Sequence, residues 1–148
     1  MKLEEEIQQT TFKSEHQKLL INIIYTGNWI NQKSVRLLKK HNLTPQQFNI
    51  LRILRGQRPK TSTIMLLQAR MLDRMSNASR LVDKLLGKGF VDRQMNDVDR
   101  RRVDVTITDK GLALLKVLDG LVELDDLLTT LTVKESQVVN EMLDKMRG

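Results

Sequence analysis

Ser76, Asn77, Arg80 and Lys84 fall at helical spacing, so they share one face of a short helix, and what they offer is hydrogen bonding and positive charge. The other face is apolar, with Ala78, Leu81, Val82 and Leu85 at i, i+3, i+4 and i+7. A guanidinium can grip guanine through two parallel donors and an Asn amide can grip adenine, so Asn77, Ser79 and Arg80 read as contacts to base edges. Ser76 and Asn77 stand at the helix start, where backbone N–H groups and the helix dipole favour phosphate. Ser76 equally suits a helix cap, and the two roles are compatible. Lys84 lies one turn further on, within reach of a phosphate backbone. Gly87 and Gly89 are expected to end the helix, because glycine takes the left-handed conformation at no steric cost. Two strand-like runs follow, at 90–94 and 103–107, around a polar tip at 95–102 that ends in Arg100, Arg101 and Arg102. Such a helix and a hairpin with a cationic tip suit a duplex, the helix in the major groove and the hairpin on the minor groove or backbone. Arg70 and Arg74 precede the helix. They fit phosphate clamps or salt bridges to Asp73 or Asp83, and the sequence leaves both open.

The elements that must position these groups are mostly helical. The chain has 148 residues, the size of one domain, with 40% hydrophobic and 29% charged residues, so a folded domain is expected. Aromatics are only 3%, which leaves Leu, Ile, Val and Met to build the core and favours helices over a β-sandwich. There is no Cys, which excludes disulfides and thiolate metal sites. No apolar run approaches the roughly 18 residues of a membrane span, and the first residues, MKLEEEIQQT, lack the apolar core of a signal peptide. A cytoplasmic protein without membrane contact is the expectation. The net charge is +7, and its distribution is uneven. Residues 16–72 hold no Asp or Glu but carry Lys33, Arg36, Lys39, Lys40, Arg52, Arg55, Arg58 and Lys60. After Arg102 the sign reverses through Asp119, Glu123, Asp125, Asp126, Glu135, Glu141 and Asp144. One face for phosphates and a separate face for something else is one reading; an ordinary solvated surface with a sign bias is the other.

Along the chain, residues 1–13 show no clear periodicity. A long helix is expected over about 14–40, with Leu20, Ile23, Ile24, Ile30, Val35 and Leu38 on one stripe, and Gly27 marking a bend or a close contact. Thr44-Pro45-Gln46-Gln47 is a helix start with a capping box, and Phe48, Leu51 and Leu54 point inward before Gly56. A third helix is expected over about 63–71, with Ile64, Leu67 and Met71 inside, and a tight connection at 72–75 into the Ser76 helix. Two short helices joined in this way form a helix-turn-helix. After the hairpin, Thr108 is expected to cap a helix over about 109–128, and Thr132 with Glu135 to open a last one. The single domain, 1–148, thus divides into a winged helix-turn-helix lobe at 44–108 and end helices at 1–40 and 109–148. These end helices are expected to pack on one another and on a second copy of the chain.

At these residues the sequence resembles the MarR family of winged helix-turn-helix transcription regulators, over about 43–115. LTPQQFNILRIL resembles the family's second helix, and SRLVDKLLGKGFVDR its recognition helix and the strand that follows. DRRRVDVTITDKG resembles the wing motif, here Asp99, Arg101, Ile107, Thr108 and Gly111. The chain departs from the family in three places: Gln68 follows Leu67 where Ala is common, Leu72 stands where many relatives have Gly, and Asp73 where an apolar residue is common. The resemblance implies a mainly α fold with a small β-hairpin wing, and terminal helices that dimerise. It implies a homodimer meeting a near-palindromic operator in double-stranded DNA, commonly as a repressor released by a small-molecule effector. It places Arg101 in the minor groove, which attracts guanidinium, with Asp99 holding the wing by pairing with an Arg. Arg100 and Arg102 then touch the backbone.

Tyr25 and Trp29, one turn apart on the first long helix, are the rings available to stack on a ligand; interface packing in a dimer is their other reading. His16 and His41 are far apart, and no metal or cofactor is expected. Nor is an enzyme, since no Gly-rich phosphate loop or nucleophile–base arrangement is present. An architectural DNA binder without sequence preference or effector is the competing reading, as is a winged helix whose basic face meets an acidic protein.

Overall fold

The computed structural model describes residues 1–96, 99, 102–121 and 128–148, and these divide into two compact units, 1–48 and 49–148. In the first unit a short helix α1 (Leu3–Glu6), which no periodicity announced, precedes α2 (Glu15–Lys39). Ser14 caps α2, its hydroxyl accepting from the Gln17 amide at 3.1 Å. Two side-chain contacts tie α1 to α2: Lys18 pairs with Glu4 at 2.5 Å, and the Tyr25 hydroxyl donates to Glu6 at 2.5 Å. Leu38 is buried on α2, whereas Leu20, Ile24 and Val35 of the same stripe are exposed. Gly27 has no atom within 4 Å of where a Cβ would stand, so the close contact expected there is not made among the described residues.

Helix α3 (Pro45–Gln57) starts at the capping box read from the sequence. The Gln47 amide donates to the Thr44 hydroxyl and the Thr44 amide to the Gln47 side chain, both at 3.2 Å.

The second unit is built around a three-stranded antiparallel sheet in the order β1-β3-β2, with β1 (Ser62–Thr63), β2 (Val91–Met95) and β3 (Val103–Ile107). The β2–β3 hairpin runs from Val91 opposite Ile107 to Met95 opposite Val103. The third strand, β1, was not expected; it sets Ser62 against Val105 and Thr63 against Asp104. Between β1 and β2 lie α4 (Ile64–Arg70) and α5 (Ala78–Gly87). Leu67, Met71, Ala78, Val82 and Leu85 are buried with Val91 and Val105, so the apolar faces of both helices and the inner face of the sheet make one core. Of the two glycines expected to end α5, only Gly89 is left-handed, at φ +72°; Gly87 is the last helical residue.

Helix α6 (Asp109–Leu121) buries Leu115 and Leu118, and the part of this helix expected beyond it, 122–127, lies outside the described residues. Thr108 opens it, its hydroxyl accepting from the Gly111 amide at 3.1 Å and donating to the Gly89 carbonyl at 2.8 Å. Gly111 is required there: an added Cβ would stand 2.4 Å from the Phe90 carbonyl oxygen. Helix α7 (Val133–Arg147) has the expected Thr132–Glu135 capping box and buries no residue.

Candidate nucleic-acid interface

The turn between α4 and α5 is short and polar, so its backbone groups need partners. Side chains supply them. The Asn49 side chain of α3 accepts from the Leu72 amide at 3.0 Å. Asp73 accepts from the Met75 amide at 3.0 Å and from the Ser76 hydroxyl at 2.7 Å, an Asx-type turn. Gln68 donates to the Arg74 and Ser76 carbonyls and accepts from the Ala78 amide. Asp73 and Gln68 are two of the three departures from the family pattern, and both hold the turn. The third, Leu72, is exposed, and its amide is the one that Asn49 receives.

This arrangement decides between readings the sequence left open. Ser76 does not cap α5: it stands one residue before the cap position, and its hydroxyl donates to Asp73. Asn77 is the cap, its side-chain oxygen accepting from the Arg80 amide at 3.0 Å. The Asn77 Nδ2 keeps its donors, with no partner among the described residues. Arg74 donates to the Ala69 carbonyl at the end of α4. Asp83 pairs with neither Arg70 nor Arg74 but with Arg93 on β2, at 2.8 Å, which ties the recognition helix to the wing. Arg70, Arg80 and Lys84 are exposed and make no ion pair among the described residues; Ser79 is half-buried.

Two open grooves flank Ile64 and Met65. One, beside the start of α5, is lined by Gln68, Ala69, Arg74, Asn77 and Ser79; the other, beside the wing, by Thr63, Arg93, Arg102 and Val103. Arginine lines both, and no carboxylate does among the described residues. Asn77, Ser79 and Arg74 therefore border one groove at the N-terminus of α5, and Arg93 and Arg102 a second beside the wing. The N-terminus of α5 also presents the positive end of its dipole, with the Ala78 and Arg80 amides already taken by Gln68 and Asn77.

The wing tip is organised by Asn96, which the sequence reading missed. Its Nδ2 donates to Asp104 at 2.8 Å, its Oδ1 accepts from the Asp99 amide at 2.9 Å, and its own amide donates to the Arg102 carbonyl at 3.0 Å. Asp99 also accepts, through its carbonyl, from the Arg102 amide at 2.8 Å. Its backbone thus helps to close the tip. Arg102 is exposed; Arg100 and Arg101 lie outside the described residues. An Asn at the start of a polar tip, able to bond the backbone a few residues on, is a turn signal that could have been read in advance.

Not every cation of the basic span is available to a phosphate. Arg55 makes a two-pronged pair with Asp119 of α6, at 2.5 and 3.2 Å, and that hydrogen bond holds the Asp119 carboxyl below its usual range. In the first unit, Tyr25 and Trp29 do come together, lining a pocket of about 190 Å³ with Met1, Glu6 and Thr26. The Glu6 hydrogen bond raises the Tyr25 hydroxyl above its ordinary pKa. Among the described residues no group of three His, Asp or Glu could hold a metal ion, and no helix is long and apolar enough to cross a membrane.

This sequence and this fold have counterparts among known proteins. The HTH-type transcriptional regulator MhqR of Bacillus subtilis is 29% identical over 87% of this chain and 89% of its own length. The HTH-type transcriptional regulator PecS of Dickeya dadantii is 30% identical over 75% of this chain and 69% of its own length. In fold, the MepR–DNA complex of S. aureus matches 92% of this chain and 97% of its own at a TM-score of 0.75, with 21% identity. The MarR family model matches residues 43–103, which run from the residue before the α3 cap through α4, the turn and α5 to the first residue of β3. With its helix-turn-helix, its three-stranded wing and relatives that are transcriptional regulators, this chain belongs to the MarR family.

Proposed function

We propose that the chain is a sequence-specific regulator of transcription that binds double-stranded DNA. It works as a homodimer on a near-palindromic operator, represses there, and is released by a small molecule. The observation that carries the DNA reading is the exposed face of α5, from its cap Asn77 to Lys84 in its last turn. Asn77, Arg80 and Lys84 are exposed, Arg80 and Lys84 make no ion pair among the described residues, and hydrogen bonds hold the backbone behind them. Groups that reach base edges need such a fixed support, and the surrounding arginines supply the electrostatic share of binding. The MepR of S. aureus, whose fold this chain shares, was solved on DNA.

The dimer reading rests on α2 and α7. Leu20 and Ile24 on α2, and Val138, Val139, Met142 and Met146 on α7, are exposed. An amphipathic helix that buries nothing in its own chain gains most of its stability from a partner. We assign the lobe at 44–108 to DNA and the segments 1–40 and 109–148 to dimerisation. The Tyr25–Trp29 pocket is our candidate effector site. At about 190 Å³ it is smaller than an ordinary ligand pocket, which fits a small planar molecule. We assign the chain to the cytoplasm, because a regulator of this kind acts where the chromosome is.

The test is competition. A labelled fragment from upstream of the chain's own gene is titrated with protein, then challenged with unlabelled random duplex. Binding should survive a large excess of random DNA and fall steeply with salt. Arg80→Ala and Arg101→Ala should each weaken it with the fold intact. Light scattering should give twice 17.2 kDa. Equal competition by random DNA would instead make the protein an architectural binder, and a monomer would remove the paired half-sites.

A further inference from the structure

We infer that Gln68 is a positioning residue for sequence reading: its amide sets the pose of α5, and with it the base-edge contacts of Asn77, Ser79 and Arg80. The inference deepens the DNA-binding reading above and rests on it. One side chain of α4 meets three backbone groups that α4 itself cannot reach. Its Nε2 donates to the Ser76 carbonyl at 2.8 Å and the Arg74 carbonyl at 3.3 Å, while its Oε1 accepts from the Ala78 amide at 3.0 Å. A primary amide has two donors and one carbonyl oxygen. Two carbonyls on one side and one N–H on the other admit only this orientation of the amide, so the assignment does not depend on telling oxygen from nitrogen.

The placement matters because Ala78 is the first residue of α5, and its N–H belongs to those a helix cannot satisfy internally. Asn77 caps the Arg80 amide from within the element. Gln68 is different: it caps from another helix, so it fixes α5 relative to α4 as well as ending it. Ala78 is buried, so water does not replace a lost partner there at no cost. The Asp83–Arg93 pair anchors α5 further along, against β2. With both anchors, and with Ala78, Val82 and Leu85 packed in the core, α5 is held at its start and in its middle; without Gln68 its start can tilt slightly on that packing. Phosphate contacts tolerate such a tilt, because flexible side chains follow the backbone charge. Base-edge contacts do not.

The experiment first selects the preferred duplex from a random pool with wild-type protein, then measures affinity for that duplex and for a scrambled version of it. Gln68→Met keeps length and removes all three hydrogen bonds. It should lower the ratio of selected to scrambled affinity about tenfold, with scrambled affinity within about twofold of wild type and an unchanged salt slope. A purely structural loss would lower both affinities together, along with Tm. Gln68→Glu covers the case in which Gln68→Met does not fold. Its carboxylate still accepts from Ala78 and is favoured at a helix N-terminus, but it has no donors for Arg74 and Ser76. The ratio should fall again. A wild-type ratio in either folded variant overturns the inference, as does failure of both to fold, which would give Gln68 a folding role alone. Amide exchange adds a check on the wild type: Ala78 should be protected in the free protein, and an unprotected Ala78 overturns the inference. If selection yields no preferred duplex, the sequence-specific reading itself fails, and that result is distinct from all of these.

Discussion

Asn77 holds two jobs in one amide, and Asp at that position separates them. The Oδ1 accepts from the Arg80 amide at 3.0 Å and caps α5; the Nδ2 faces outward with its donors unused among the described residues. Asn77→Ala removes both functions. Loss of the cap costs about 1 kcal/mol, within the usual range of roughly 0.5–2, and for a chain of this length that lowers Tm by about 2–4 °C at fixed protein concentration. Asn77→Asp keeps an oxygen for the Arg80 amide, and its charge is favoured by the helix dipole, so Tm should hold or rise slightly. On DNA the order reverses. Alanine loses one donor to a base edge, worth about 1 kcal/mol, or roughly 5-fold in affinity for the preferred duplex. Aspartate loses the same donor and also places a carboxylate against phosphate, so it should bind more weakly than alanine and lose part of its non-specific affinity as well. Thermal melts followed by circular dichroism and titrations followed by fluorescence anisotropy measure the two effects separately. If Asn77→Asp binds the duplex as tightly as wild type, Asn77 is only a cap, and the placement of the α5 N-terminus at base edges is refuted.

Two further changes test the support behind that surface. Gly111→Ala would put a methyl 2.4 Å from the Phe90 carbonyl oxygen and 2.8 Å from Ile107 Cγ1. The first of these is backbone, so relief requires moving α6 against β2; a loss of about 1–3 kcal/mol is expected in denaturant unfolding, and an unchanged midpoint would show that the junction is looser than this. Asp119→Asn tests the pair with Arg55. The Arg55 hydrogen bond lowers the folded-state pKa of Asp119 below its ordinary value. The stability this carboxylate contributes is therefore present above the ordinary Asp range and disappears as pH falls through the lowered value. Because the Asp119 side chain is 51% exposed, solvent screens the pair and the contribution is small. The variant should lose a little stability at neutral pH and converge on wild type in acid; equal differences at both ends would show that the carboxylate charge plays no part.

What the sequence made legible was local. Thr44 with Gln47 and Thr132 with Glu135 were readable because a capping box closes within one turn of chain, and its geometry follows from residue type and spacing. The face of α5 was readable for the same reason, since Ala78, Val82 and Leu85 recur at the helical period and are all buried. One-residue choices were not. Ser76 and Asn77 can both cap, and the choice depends on the one residue at which α5 starts, Ala78, which puts Asn77 in the cap position. Gly87 and Gly89 can both turn left-handed; Gly89 does, where the Thr108 hydroxyl donates to its carbonyl.

Contacts over long separations left no trace in the local pattern. Strand β1 is two residues long, too short to show alternation, and exists because β3 offers it an edge. Arg55 counted as a free cation until Asp119, 64 residues away, was found beside it. The partners of Gln68 are nearer in sequence, yet equally unannounced. In sequence it is a polar residue on a short amphipathic helix, and nothing in its spacing separates it from a solvated glutamine. Its partners at Arg74, Ser76 and Ala78 are all backbone groups, so residue type gives no sign of them. Base-reading side chains must be of particular types, and periodicity places them on a face. The groups that aim the face need only reach a carbonyl or an amide. The direction in which α5 points is thus set by the residues least distinguishable in the sequence, and relatives with the same reading residues but another residue at Gln68 should prefer different duplexes.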